Sequence, residues 1–208
     1  MGAIHRLSFP WRRVLALFFA CLVCTALWAE AAQAQLAEKV IRLHVLANSD
    51  TEADQTLKLQ VRDKILAQTN ELLAGQESAA EAAAILRETL ESLAQTAARE
   101  IAARGYDYPV EVRLEKTWFP TRRYADVSLP AGNYQALRVL IGAGAGHNWW
   151  CVVFPSLCLP AVSEGAVETA GMNRQDYALI SEESQPYVIQ FKTVEWWENC
   201  KHWLSQRK

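Results

Sequence analysis

The chain has 208 residues, of which 51% are hydrophobic and 21% charged, with a formal net charge of −2. It is long and apolar enough to bury a core, which excludes a disordered polymer. The near-neutral balance excludes a basic field for general nucleic-acid binding.

Arg6, Arg12 and Arg13 precede an uncharged apolar run, Val14 to Trp28. Ala-x-Ala sites follow at Ala29-Glu30-Ala31 and Ala32-Gln33-Ala34. Positive charge, apolar run and small residues in that order make a secretory signal. The run is shorter than the roughly 20 residues that span a bilayer. We therefore read residues 1–34 as a signal peptide and 35–208 as one exported domain. An uncleaved anchor is the alternative, and the membrane is then touched through this segment alone. Cys21 and Cys24 lie in the run, but the residues before them fit a lipid-attachment box poorly.

Val40 to Leu46 alternates, with Ile41, Leu43 and Val45 on one side and Arg42 and His44 on the other. This reads as a strand with one buried face. Ala47-Asn48-Ser49-Asp50 stops it, and those polar side chains suit a helix start. A helix to Leu73 follows from the spacing of Leu57, Val61 and Ile65, with Gly75 just past its end. Ser78 with Glu81 has capping-box spacing and opens a second helix. Leu86, Leu90, Leu93, Ala97 and Ile101 stripe it until Gly105, and the two helices read as an antiparallel pair.

The period then changes to two. Val110, Val112 and Leu114 begin a strand that runs to Phe119, where Pro120 breaks it. A short strand covers Arg123 to Leu129, Pro130 to Asn133 turns, and strands cover Tyr134 to Ile141 and Trp149 to Phe154. Residues 160–186 read as a long loop, and the spacing from Val188 to Leu204 as a C-terminal amphipathic helix, with a strand at Tyr187 to Phe191 as the alternative. The fold class is α+β: an antiparallel meander packed with a helical pair and a C-terminal helix.

No constellation here supports catalysis, a metal or a cofactor. The Gly142, Gly144, Gly146 run joins the last two strands and reads as a flexible hairpin loop; a phosphate cradle needs a helix N-terminus after it, and a strand follows here. Cys151 with His147 could pair nucleophile and base, with His44 and His202 as other bases, but a spacing of four along loop and strand does not establish this. Cys151, Cys158 and a His lack paired metal-ligand spacing. Cys151, Cys158 and Cys200 are an odd set for an exported chain. Cys151 and Cys158 flank Pro155 and could bridge; three buried thiols are the alternative. Arg122 and Arg123 read as a solvated edge. Trp149 and Trp150 alternate, so one is core and the other is free to meet a partner. Trp196, Trp197 and Trp203 sit near the end of the last apolar segment.

These residues resemble one family, stage II sporulation protein R. The matching blocks are Ile41 to Asp50 followed by Asp54-Gln55, Lys58 and Val61-Arg62-Asp63; Phe119-Pro120-Thr121 with Tyr124; Leu129 to Leu137; Gly142 to Cys158; and Phe191 to Glu198. Ser156 departs from the pattern, where the family often has a second proline. The resemblance implies a secreted signal of endospore formation, acting between forespore and mother cell and without enzymatic activity. It implies a partner, the membrane-embedded aspartic protease named stage II sporulation protein GA, whose activation leads to processing of the sigma-E precursor. Our candidate contact residues are Asn48, Ser49, Asp50, His147, Asn148, Trp149 and Trp150. An extracytoplasmic cysteine enzyme or cell-wall binder using Cys151 is the competing reading.

Overall fold

The computed structural model describes residues 11–124, 127–156 and 203. A long helix, α1 (Trp11–Glu38), leads into strand β1 (Ile41–Leu46) and helices α2 (Glu52–Leu72) and α3 (Ala79–Ala103). Strands β2 (Val110–Phe119), β3 (Arg122–Tyr124), β4 (Val127–Leu129), β5 (Gly132–Ile141) and β6 (Asn148–Phe154) follow. The 160–186 loop and the C-terminal helix of the sequence reading lie outside the described residues.

The α+β class holds, and most strand pairs are antiparallel. The consecutive order of a meander does not hold. The main sheet runs β2-β5-β1-β6, with β1 parallel to β5 and antiparallel to β6. The segment expected as one short strand is a hairpin, β3 with β4, forming a separate two-stranded sheet. Alternation reports which side chains share a face and says nothing of strand order, which long-range pairing sets.

Helices α2 and α3 cover one face of the main sheet. Leu57, Val61 and Ile65 from α2 join Leu86, Leu93, Ala97 and Ile101 from α3 in a buried cluster. The sheet supplies Ile41, Leu43, Val45, Leu137, Val139 and Ile141. Each buried Leu, Ile or Val among them contributes about 1.5–3 kcal/mol by leaving water. Ser78 caps α3 as its spacing suggested, accepting from the Glu81 amide at 3.2 Å. The cap of α2 is Thr51, which leaves Asn48, Ser49 and Asp50 free for other contacts.

The opposite face holds a second cluster of Phe119, Tyr134, Ala136 and Val152 with Leu36, Val40 and Leu129. This corrects the reading of β1 as a strand with one buried face. Strands on both sides and clusters on both faces enclose it, so Arg42 and His44 are buried at 0% and 5% exposure.

Helix α1 from Arg13 to Glu38 is long and apolar enough to cross a membrane by length and composition, its apolar part is exposed, and it lies near the N-terminus, a pattern compatible with a signal sequence. The helix continues past Ala34, and Leu36 near its end is buried in the second cluster.

Candidate functional site

Because β1 and β5 are parallel, both run off the same edge of the sheet. The segment after β1 (residues 47–51) and the segment after β5 (residues 142–147) therefore meet, although about half the chain separates them in sequence. The Gly146 amide donates to the Ala47 carbonyl at 3.0 Å, and the Ala145 amide to the Asn48 carbonyl at 3.3 Å. The Asn48 side-chain oxygen accepts from the Ala143 amide at 2.9 Å. Gly142 has φ +58°, and a Cβ there would run into the Asn48 side chain. This is why the second segment is glycine-rich: backbone passes where no side chain fits.

The first turns of α2 fasten the junction from below. Asp54, 4% exposed, accepts from Asn48 Nδ2 at 2.9 Å and from the Ser49 hydroxyl at 2.6 Å. These hydrogen bonds hold its carboxyl below the usual range. Lys58, also 4% exposed, donates to Gln55 Oε1 at 2.5 Å and to the His147 carbonyl at 3.0 Å. Burial lowers the Lys58 pKa, opposed by the Asp50 carboxylate. At the top, Asp50 pairs with His147 through backbone amide and imidazole Nδ1, with both side chains facing water.

The adjacent tryptophans divide as alternation requires. Trp149 is 37% exposed, with the Arg62 guanidinium 4.3 Å over its ring. Trp150 turns to the opposite face, stacks on His44 at 3.8 Å between centroids and meets Phe119 edge-on at 4.7 Å. Asn148 approaches His44 Nε2 at 2.6 Å. Desolvation lowers the His44 pKa to about 4, and the cations Arg138 and Arg42 act in the same direction.

Four of the seven candidate contact residues, Asn48, Ser49, Asp50 and His147, thus form one patch with Trp149 close in sequence. Asn148 and Trp150 contact His44 instead. The fastening residues Asp54, Gln55 and Lys58 were not among the site candidates. Their sequence signal was their place directly after the polar turn, on the first two turns of α2. Cys151 is disulfide-bonded, so it offers no thiolate for a nucleophilic mechanism. Cys158 lies outside the described residues. The arrangement is a rigid polar platform with an exposed aromatic, suited to contacting a macromolecule.

The sequence profile described as stage II sporulation protein R matches residues 37–164. A curated relative, stage II sporulation protein R of Bacillus subtilis (strain 168), is 36% identical over 128 residues, covering 62% of this chain and 57% of that protein. The match therefore spans a little over half of the relative's length. No solved structure matches the chain.

Proposed function

Because the chain belongs to the stage II sporulation protein R family, we propose that it is an exported signal of endospore formation that activates a membrane-embedded aspartic protease. It acts from the space between forespore and mother cell, on the stage II sporulation protein GA protease, and the outcome is processing of the sigma-E precursor. The chain itself carries no chemistry. It binds, and binding favours the active state of the receptor by differential affinity. An aspartic protease needs two carboxylates at one site, so stabilising a receptor dimer is one route.

The observation that carries this reading is the junction of residues 47–51 with 142–147. Asp54 and Lys58 hold the two segments rigidly from within, while Asp50 and His147 stay open to water beside Trp149. A preorganised polar patch with an aromatic anchor loses little conformational entropy on binding. The disulfide at Cys151 weighs against the cysteine-enzyme reading.

Direct binding tests the proposal. The exported chain is titrated against detergent-solubilised receptor protease, alongside Asp50→Ala and Trp149→Ala variants of unchanged melting temperature. The expected result is at least a tenfold weaker affinity for Trp149→Ala, the loss of about 1.4 kcal/mol. Equal affinities for all three proteins would remove this patch as the contact surface.

A further inference from the structure

Arg42 is a fully buried cation without a counter-ion among the described residues. Its side chain is enclosed by aromatic rings: Cζ lies 4.1 Å from the Phe119 centroid, 4.9 Å from Tyr134 and 5.7 Å from Tyr124. One of its five N–H donors is used, Nη2 donating to the Tyr124 hydroxyl at 2.6 Å. Nε and Nη1 have no acceptor, although both atoms are buried. The groups that act on it electrostatically are Tyr124, Tyr134 and Arg122, with no carboxylate among them. The neighbouring acid on this face, Glu115, is paired with Arg138.

A buried guanidinium normally has its donors satisfied, because each unmet donor costs desolvation energy. Cation–π contact offsets part of the charge cost but accepts no hydrogen bond in the ring plane. A carboxylate accepts two parallel hydrogen bonds from a planar guanidinium, either through Nε with Nη2 or through Nη1 with Nη2; Nη2 keeps one N–H beyond its bond to Tyr124, so one such fork stays open. The β3–β4 hairpin contributes Tyr124 to the enclosure of Arg42. Its strands pair with each other and with no strand of the main sheet. Moving this hairpin therefore breaks no ladder of the main sheet.

We propose that Arg42 is the seat of a carboxylate anion, held between the Phe119, Tyr124 and Tyr134 rings beneath the β3–β4 hairpin. The inference is independent of the receptor contact, since Arg42 lies on the opposite face of β1 from the α2–α3 layer and away from the Asp50–His147 patch.

The test uses the whole exported chain and formate as the probe, with chloride at matched ionic strength as the control. The Arg42 Nε–H resonance is followed by NMR and the melting temperature in parallel. We expect a saturable shift of that resonance with formate and none with chloride, with a rise in melting temperature that Arg42→Met abolishes. A peptide ending in two aspartates separates a protein-borne carboxylate from a free anion: displacement of formate assigns the former, and its failure the latter. An unmoved Nε–H resonance at saturating formate overturns the proposal, as does an equal thermal response in Arg42→Met. Should Arg42→Met not fold, the resonance of the unaltered chain decides alone.

Discussion

Lys58 on α2 donates its ammonium to the carbonyl oxygen of His147, 3.0 Å away and 89 residues later in the chain. That bond joins a helix that packs the core to a segment that faces water. Lys58→Met keeps the aliphatic stem and removes the donor. A hydrogen bond to a charged group is worth about 1.5–3 kcal/mol, so urea unfolding should show a loss of that order. Amide exchange should quicken from Gly142 to His147 and stay unchanged in α3.

Asp54 gives a pH dependence on the acid side. Hydrogen bonds from Ser49 and Asn48 lower its folded pKa below the unfolded value. The stability it contributes is therefore present above the unfolded carboxylate range, about pH 4, and is lost as pH falls through the folded pKa. Asp54→Asn should destabilise the chain at pH 7 and approach the unaltered chain as pH falls through the folded pKa. A constant difference between the two proteins across that range would contradict this assignment.

The platform was half legible in the sequence. Asn48, Ser49, Asp50 and His147 stood out as polar residues in turns, but the glycine run read as a hairpin loop, whereas β1 lies between β5 and β6 and the run passes close against Asn48. Their meeting was not legible, because it follows from β1 lying parallel to β5, a pairing that local periodicity does not encode. The same gap explains Arg42 and His44. Alternation placed them together on the face opposite Ile41 and Leu43, but a polar side chain at such a position signals exposure unless an aromatic cage elsewhere in the chain encloses it. Phe119, Tyr134 and Trp150 supply that cage from three other strands. Cap residues and helix ends, by contrast, were read from Ser78, Gly75 and Gly105, since those signals act within a few residues.

His44 carries the second pH dependence, of opposite chemical type. Its folded pKa of about 4 lies below the ordinary 6.5 because burial disfavours the imidazolium. Between these values the unfolded chain binds a proton that the folded chain does not, so stability falls as pH drops through that window and levels off below it. At about 1.4 kcal/mol per unit, the full effect is about 3 kcal/mol. His44→Leu should flatten the stability profile between pH 6.5 and 4, read by denaturant midpoints.

The tryptophan pair separates packing from contact. Trp150→Ala removes the ring stacked on His44 and set against Phe119, and should cost about 2–4 kcal/mol. Trp149→Ala removes an exposed ring and one cation–π contact with Arg62, and should cost at most about 1 kcal/mol. Thermal melts of both variants check the order, and a reversed order would mean that the exposed ring is the structural one.

Gly142→Ala should disturb the junction from the other side. Its φ of +58° disfavours a side chain, and the new methyl displaces Asn48 from the Ala143 amide. A loss of about 1–3 kcal/mol is expected, measured by chemical denaturation, with Asn48→Ala in the same background adding less than it does alone.

The most direct measurement is reconstitution of the signal. The chain, exported, is co-expressed with the membrane aspartic protease and the sigma-E precursor in a non-sporulating host, and precursor cleavage is followed by immunoblot. The expected result is cleavage that requires this chain, falls with Trp149→Ala and persists in Cys151→Ser wherever that variant stays folded. An intact precursor beside a folded, exported chain would contradict the proposed role.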